Sequence, residues 1–253
     1  MNLFIDAGNS RIKWIYGHRL PSFIEAVSYR IDWRKKLYLS WHLLPEPQNI
    51  LLSNVNSSDI ETFISNICQK LWNKKLHIIT AEKEQNNPKL TVAYKKPEHL
   101  GTDRYLAMLG ARSLTNDNFC VIGCGTAITL DAVDSSGKHL GGVILPGIRL
   151  CENTLLTNTK RLKPMRWTAN ILGTDTAACI GAGIHHALPG GIEKIIMEIE
   201  EESNQSFQRF AFGGDGQILF GKKNSKYQIE SDLVFRGMFA YLASKEGNLN
   251  GEK

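Results

Sequence analysis

Residues 1–13 read Met-Asn-Leu-Phe-Ile-Asp-Ala-Gly-Asn-Ser-Arg-Ile-Lys, and an apolar run here leads directly into a polar turn. The Leu-Phe-Ile run predicts a buried strand that delivers the Asp6 carboxylate to the turn. A carboxylate at this place can hold Mg²⁺, and Gly8 lets backbone N–H groups approach phosphate oxygens. Ser10 adds a hydroxyl donor and Lys13 a positive charge. Because Asp-x-Gly-Asn is also ordinary turn chemistry, this segment alone leaves a metal–phosphate site and a plain turn both open.

A second strand and turn of the same kind follow about 120 residues later. Residues 119–122 predict a buried strand, residues 123–127 a turn that contains Gly125 and Thr126, and residues 128–133 the next strand. A third glycine-rich turn, at residues 213–216, follows a predicted strand and could let an adenine or ribose lie against backbone. Two turns that combine glycine with a hydroxyl, in matching places of two halves, indicate nucleotide phosphate binding. No Walker sequence is present.

The order of predicted elements divides the chain into two related domains, residues 1–115 and 116–253. In the first, strand 50–55, helix 60–72 and strand 76–79 predict a parallel crossover. A loop over 82–99 and a helix over 103–114 follow. The shared plan predicts an α/β fold with a cleft that one turn from each domain faces. The other predicted elements are a strand at 12–16, a strand at 139–145, helices at 149–156, 174–186, 191–203 and 233–242, and a frayed end at 246–253.

Composition narrows the classes of function that the chain can have. Its 253 residues are 42% apolar and 22% charged, as in ordinary globular proteins, and the net charge is +5. The basic residues are scattered, which favours a solvated surface over a nucleic-acid groove. We expect no signal peptide, no membrane span and a cytoplasmic protein, whose five cysteines are reduced thiols. His185 and His186 are adjacent on a predicted helix, so we expect one to pack and one to be exposed rather than a shared metal.

Residues 100–104, Leu-Gly-Thr-Asp-Arg, open a predicted helix. Asp103 suits two roles. It could be the N-cap, where its carboxylate accepts a backbone N–H of the helix. It could instead be a general base toward an alcohol, with Arg104 beside it to hold an anion. Phosphoryl transfer needs such a base only to orient the hydroxyl and take its proton late, and a carboxylate of ordinary pKa can do this.

Taken together and in order, these motifs resemble the type III pantothenate kinases, over residues 3 to about 240. The family belongs to the superfamily of acetate and sugar kinases, chaperone ATPases and actin, so the resemblance implies two duplicated ribonuclease-H-like domains with an interdomain nucleotide cleft. It also implies phosphorylation of pantothenate to 4′-phosphopantothenate with ATP, the first step of coenzyme A biosynthesis. Mg²⁺, a monovalent cation (K⁺ or NH₄⁺) and a homodimer are implied as well. The motifs are Asp6-x-Gly8-Asn9-Ser10-x-x-Lys13, Gly101-Thr102-Asp103-Arg104, Gly125-Thr126-Ala127-x-Thr129-x-Asp131, Gly141-Gly142-x-Ile144-x-Pro146-Gly147 and Gly213-Gly214-Asp215.

The resemblance also implies roles for particular residues. Asp6 would organise Mg²⁺, and Asp103 would be the catalytic base. Thr176 would reach pantothenate, across the dimer. The residues implied to contact the nucleotide are Asp6, Gly8, Asn9, Ser10, Lys13, Gly125, Thr126 and Gly214. Those implied to line the pantothenate pocket are Tyr94, Gly101, Thr102, Asp103, Arg104 and Thr176.

The sequence departs from the family pattern at one position. The second phosphate motif of the family usually reads Asp-x-Gly-Thr, and Gly123 stands where the Asp is expected. That carboxylate is associated with cation binding, so its loss puts the cation requirement in question, although a main-chain carbonyl or a water could substitute. The preferred hypothesis is an active kinase. A non-catalytic relative with a regulatory or binding role, and another kinase or phosphatase of the superfamily, are the alternatives.

Overall fold

The structure, a computed structural model, describes residues 1–20, 23–81, 90–168, 170–221 and 226–250, with side chains to residue 245. The predicted loop over 82–99 therefore lies partly outside the described residues. The chain forms two compact units. Unit 1 comprises Met1–Asn116, Ser136–Lys138 and Asp232–Lys253, and unit 2 comprises Asp117–Ser135 and His139–Ser231.

The described residues of unit 1 form a five-stranded mixed sheet in the order β3-β2-β1-β4-β5. Strands β1 and β2 are antiparallel, whereas β4 and β5 continue the sheet in parallel, as the predicted crossover requires. The strands are β1 (Asn2–Ala7), β2 (Arg11–Gly17), β3 (Glu25–Ser28), β4 (Ile50–Asn54) and β5 (His77–Ile78).

The two faces of this sheet are covered by different helices. Helices α1 (Trp33–Trp41) and α2 (Ser58–Trp72) pack on the face of Leu3 and Ile5, where the buried apolar residues form one cluster. On the opposite face the ring of Phe4 meets Phe239, 4.2 Å between centroids. The alternation along β1 therefore places Asp6 on the same face as Phe4.

Helix α3 (Thr102–Arg112) packs tightly against α7 (Leu233–Asn250). At each of two glycines, Gly110 and Gly237, an added Cβ would collide with a carbonyl oxygen of the other helix. This close approach explains why residues 232–253 belong to unit 1, which differs from the expected division at residue 115. The expected frayed end also differs, because α7 continues to Asn250 and residues 251–253 lie outside the described part.

Unit 2 repeats the plan of unit 1. Its described strands form a mixed sheet in the order β10-β9-β6-β7-β8. Taken in the reverse direction, this order matches that of the first sheet, and β6 is the central strand as β1 is in unit 1. Strand β6 runs to Cys124, so the turn predicted over 123–127 is confined to residues 125–126. The strands are β6 (Phe119–Cys124), β7 (Ala127–Val133), β8 (His139–Pro146), β9 (Gln208–Phe212) and β10 (Tyr227–Ile229).

Helices α4 (Ile148–Asn158), α5 (Thr176–Ser203) and α6 (Gly216–Phe220) complete unit 2. The prediction of two helices over 174–186 and 191–203 was wrong, because α5 is continuous with Pro189 inside it. A proline removes one backbone hydrogen bond from a helix, but burial of an unbroken apolar stripe compensates. The stripe repeats every four residues on both sides of the proline: Ile180, Ile184, Leu188, Ile192 and Ile196.

No helix among the described residues is both long enough and apolar enough to cross a membrane. All five cysteines are free thiols, as expected. His185 is half-buried, with its ring 5.0 Å from the ring of Trp167, whereas His186 is exposed, which confirms the expectation for this pair.

Candidate active site

The carboxyl-terminal end of β1 carries a row of three polar side chains. Asp6 pairs with Lys13 of β2 on one side and with Ser53 of β4 on the other. Paired residues of neighbouring strands project from the same face of a sheet, so the three side chains lie side by side. Asp6 and Ser53 are buried. The predicted carboxylate is thus held by regular sheet structure rather than by a loop.

Asp6 is electrostatically unusual. Its Oδ1 atom is buried without a hydrogen-bond partner among the described residues. Burial raises the pKa of Asp6 to about 6, Lys13 opposes this rise in pKa, and the Asp103 carboxylate adds to it. A desolvated carboxylate with an unused oxygen, near a second carboxylate, is a site that a divalent cation would stabilise.

The turn after β1 is closed by the hydrogen bond that Gly8 N donates to the Arg11 carbonyl, 3.1 Å. From the neighbouring loop, Asn56 Nδ2 donates to the Gly8 carbonyl at 3.1 Å and so ties the turn to the end of β4. Asn9 and Ser10 at its tip are exposed. This arrangement presents the tip residues to solvent on a fixed backbone, as a phosphate-binding turn requires.

The start of α3 positions Asp103. The N-cap is Gly101, so Asp103 is the second helical residue, and of its two suggested roles the N-cap role is wrong. Its Oδ1 accepts the Arg104 N–H at 2.8 Å, and a Cβ on Gly101 would lie 2.8 Å from that oxygen. Thr102 is buried and its hydroxyl donates to the Ile79 carbonyl at 3.4 Å. Gly101 therefore makes room for the carboxylate, and Thr102 fastens the helix start to the sheet.

Arg104 and Tyr94 form a pair beside Asp103. The Arg104 guanidinium is buried, donates from Nη1 to the Tyr94 hydroxyl at 3.1 Å, and lies 5.8 Å from the centre of that ring. A buried guanidinium fixed by a phenol is suited to binding a carboxylate. The two residues expected in one pocket from sequence are thus neighbours in unit 1.

In unit 2, three loops meet at the end of β6. Gly125 N donates to the Ala127 carbonyl at 3.1 Å, and Gly147, the N-cap of α4, donates to the Thr126 carbonyl at 3.1 Å. From the loop after β9, Asp215 N donates to the Cys124 carbonyl at 3.2 Å. Gly125 and Thr126 are exposed at the tip, as Asn9 and Ser10 are in unit 1.

The loop at 213–216 depends on one glycine. Gly213 has φ +97°, a conformation that L side chains rarely adopt, and an added Cβ would collide with the Cys124 backbone. Gly214 is exposed, and a Cβ built there meets nothing within 4 Å. The steric requirement therefore falls on Gly213, while Gly214 leaves an open surface beside the turn.

Gly123, near the end of β6, has no room for a side chain. It pairs with Thr129 of β7 and with Phe212 of β9. A Cβ on Gly123 would lie 2.7 Å from Thr129 Oγ1 and 3.0 Å from the tip of the Phe212 ring. These two side chains cover the place from which a carboxylate would project.

Comparison with known proteins decides the family. The profile of the family described as type III pantothenate kinase matches residues 2–198, more than half of the chain.

The chain belongs to the type III pantothenate kinase family.

Among relatives, the type III pantothenate kinase of Dichelobacter nodosus is 62% identical over 243 residues, 96% of this chain and 98% of the relative. The type III pantothenate kinase of Acinetobacter baylyi is 34% identical over 246 residues, 95% and 97% of the two chains. The chain thus spans nearly the full length of both relatives.

Two solved structures share the fold. A protein from Campylobacter jejuni, titled a conserved putative Baf family transcriptional activator, is 23% identical with TM-score 0.60 over 98% of this chain and 99% of that one. The activator of the 2-hydroxyisocaproyl-CoA dehydratase from Clostridium difficile, with bound ADPNP, is 10% identical with TM-score 0.56 over 98% and 97%. At these identities the likeness shows the fold alone. It confirms the expected α/β fold with two duplicated ribonuclease-H-like domains.

The site residues expected for a type III pantothenate kinase fall into three groups in the structure. Unit 1 brings together Asp6, Lys13 and Asp103 and, beside them, the Tyr94–Arg104 pair. Unit 2 places residues 125–126 beside the loop at 213–216. Thr176 is the exposed first residue of α5, next to Asp175, whose carboxylate caps the helix and pairs with Arg166.

Two residues with a place in this site did not stand out in the sequence. Asn56 fixes the first turn through the Gly8 carbonyl, and Ser53 lies next to Asp6. The available signal was a serine inside the apolar strand 50–55 followed by two asparagines. Without the strand register, that pattern does not tell whether the serine faces the core or the site.

Proposed function

We propose that this chain transfers the γ-phosphoryl group of ATP to the primary hydroxyl of pantothenate, giving 4′-phosphopantothenate, the first step of coenzyme A biosynthesis. Membership of the type III pantothenate kinase family supports the substrate pair. The observation that carries the mechanism is the juxtaposition of two carboxylates in unit 1: Asp103 contributes to the raised pKa of Asp6. The Asp6 carboxylate suits a cation, and the Asp103 carboxylate suits the hydroxyl of an alcohol.

Asp103 orients the pantothenate hydroxyl and takes its proton late in the transfer, as a general base. The hydrogen bond from Arg104 N to Oδ1 fixes the carboxylate at the helix start. The side chain of Arg104, held by Tyr94, binds the carboxylate of pantothenate, and this contact orients the hydroxyl at the other end of the substrate. Each role uses a geometry already present in the described residues.

The nucleotide is held by backbone turns and by Lys13. Asn9 and Ser10 with Gly8 form one phosphate-binding turn, and Gly125 with Thr126 forms another. Gly214, which leaves an open surface, contacts the nucleoside. Mg²⁺ fits the residues present, because the unpartnered Oδ1 of Asp6 is a hard oxygen ligand, and when bound the cation neutralises phosphate charge.

The monovalent cation does not fit in the same way. Gly123 supplies no carboxylate, and Thr129 and Phe212 cover the space where one would project. The proposal therefore contains no step that uses K⁺ or NH₄⁺.

The oligomeric state and location are also part of the proposal. We infer a cytoplasmic homodimer in which Thr176, exposed at the start of α5, reaches the pantothenate of the partner subunit. Light scattering of the purified chain tests the dimer, and a monomer at assay concentration would contradict it.

The decisive experiment compares two aspartates at equivalent helix positions. Asp103 is the second residue of α3, and the exposed Asp59 is the second residue of α2. Asp103→Asn lowers kcat for pantothenate-dependent ADP release by about 10²–10⁴-fold, whereas Asp59→Asn loses the same helix-dipole interaction and keeps its turnover. Both variants keep the wild-type unfolding midpoint within a few degrees. Near-normal turnover of Asp103→Asn would remove the base from the mechanism, and no turnover by the wild type would refute the function. Membership of the family favours the active kinase over the non-catalytic alternative.

A further inference from the structure

Ser53 is a buried polar residue that the expected mechanism does not use. It is fully buried at the end of β4, and its Oγ has no hydrogen-bond partner among the described residues. Burying a hydroxyl without a partner is unfavourable, and such groups are uncommon in folded proteins. Ser53 therefore calls for a partner that the described part of the chain does not supply.

The strand register places this hydroxyl beside Asp6. In the parallel pair β1–β4, Asp6 is the partner of Ser53, and adjacent strands are about 4.8 Å apart. Leu52 belongs to the cluster under α1 and α2, so Ser53 projects from the opposite face, which is also the face of Asp6. The unpartnered Oγ of Ser53 and the unpartnered Oδ1 of Asp6 are thus neighbours on one face.

The charge around the two oxygens selects the class of ligand. Asp6 carries a carboxylate that Lys13 only partly offsets, and Asp103 adds a second negative charge. A carboxylate and a hydroxyl oxygen are hard ligands of the kind that Mg²⁺ and Mn²⁺ take, with water and phosphate oxygens completing the shell. Of the charges that act on Asp6, the desolvated carboxylate itself and Asp103 are negative and only Lys13 is positive, so this position favours a cation over an anion.

We propose that Ser53 Oγ is a second protein ligand of the divalent cation that Asp6 binds. The inference rests on the proposed function in so far as the cation arrives with ATP. It adds a ligand from β4, so the cation is held across two strands. The ion position is then fixed by the sheet rather than by the mobile end of one side chain.

The first test measures metal binding directly. Mn²⁺ is titrated into protein saturated with a non-hydrolysable ATP analogue, and free Mn²⁺ is followed by electron paramagnetic resonance. Ser53→Ala weakens Mn²⁺ binding by about 10-fold, as loss of a metal-site contact does. The matched control is Ser57→Ala, an exposed serine whose side chain makes no capping hydrogen bond. An unchanged Mn²⁺ affinity in Ser53→Ala overturns the proposal.

The second test uses a ligand swap with an optical signature. Ser53→Cys gives a thiolate that favours Cd²⁺ over Mg²⁺, so we expect an ultraviolet Cd²⁺–thiolate band absent from Ser57→Cys and from the wild type with its five native cysteines. Cd²⁺ also raises the turnover of Ser53→Cys relative to Mg²⁺. A spectrum indistinguishable from that of Ser57→Cys overturns direct coordination, and Ser53→Cys keeps the test available if Ser53→Ala does not fold.

These readouts separate the two proposals. Mn²⁺ affinity and the Cd²⁺ band need no pantothenate. If they respond to residue 53 while pantothenate is not phosphorylated, the ligand assignment stands and the substrate assignment is wrong. If pantothenate is phosphorylated and neither readout responds, the function stands and Ser53 is only a buried hydroxyl.

Discussion

The ends of β1 and β6 occupy the same place in two sheets of the same strand order, and their chemistry differs. At the end of β1 the row is Lys13, Asp6 and Ser53; at the end of β6 it is Thr129, Gly123 and Phe212. The first row carries charge and two oxygens that have no hydrogen-bond partner among the described residues. In the second row, the Thr129 hydroxyl and the Phe212 ring cover Gly123 and leave no space for a carboxylate.

The two strand ends share the turn that the fold requires and differ in the side chain that the chemistry requires. Both strands lead into a tight turn with glycine and a small polar residue at the exposed tip, because the duplicated backbone requires that turn. The side chain at the penultimate strand position is free to differ. At this position Asp6 has an oxygen without a hydrogen-bond partner among the described residues, whereas at Gly123 neighbouring side chains fill the space of a side chain.

Among changes at the two strand ends, the largest effect is expected from removing the charge of Asp6. Asp6→Asn lowers kcat by about 10²–10³-fold at saturating ATP and pantothenate, since the proposed ligand of the phosphate-bound Mg²⁺ loses its charge. The measurement is steady-state ADP release at high Mg²⁺. If Asp6→Asn retained turnover within a few-fold of the wild type, the carboxylate that distinguishes the end of β1 from the end of β6 would not contribute to catalysis.

The second effect concerns stability and pH. Because the folded protein raises the pKa of Asp6 from 3.8 to about 6, it binds more protons than the unfolded chain between these values. The free energy of unfolding therefore falls as pH rises from about 4 to 6, and the penalty above pH 6 is about 3 kcal/mol. Without ligands, Asp6→Asn is more stable than the wild type at pH 8 by up to that amount and equal to it below pH 4. Urea unfolding across this pH range checks the sign; a wild type that is the more stable form at pH 8 would contradict it.

The third effect tests the closed strand end. Gly123→Asp destabilises the protein by about 1–3 kcal/mol, because the new side chain overpacks against Thr129 and Phe212. Adding Phe212→Ala to Gly123→Asp opens space, so the double variant loses less stability than the sum of the single losses. Urea unfolding of the four members of this cycle gives the coupling. Gly125→Ala is the control, since its Cβ would be in ordinary contact with the Ala127 carbonyl oxygen, 3.8 Å away.

The smallest effect expected is that of monovalent salt. With Gly123 covered, the rate of phosphate transfer is the same in choline, Na⁺, K⁺ and NH₄⁺ chlorides at constant ionic strength. Initial rates with ATP and Mg²⁺ provide the measurement. A rate that rises with K⁺ or NH₄⁺ alone would show that a carbonyl or a water has replaced the missing carboxylate.

The sequence predicted the parts of the fold that repeat a strong local pattern. The strands before both turns, the crossover around α2 and the strands predicted at 128–133 and 139–145 are present. Strand β3, helix α1 and strand β10 were missed, since they are short and lie between polar segments. Helix α5 was divided at Pro189, although the apolar stripe on both sides of the proline was visible.

Candidate site residues could be proposed from the sequence where a single residue stands out, but not where two strands must first be aligned. Asp6 and Asp103 stand out because each acidic residue adjoins a glycine-containing turn. The roles of Ser53 and Phe212 depend on which strand pairs with which and in what register. Both partners are distant in sequence, and a single chain without that register does not reveal them.

The packing of α3 against α7 has a consequence for how the protein is made. Helix α7 follows unit 2 in the chain, and Gly110 and Gly237 let it lie directly on the helix that begins beside Asp103. During synthesis, unit 1 therefore lacks this support until all of unit 2 has left the ribosome. The helix that begins beside Asp103, the proposed base, is therefore supported last, so we expect a growing chain to acquire kinase activity only after its second domain has been produced.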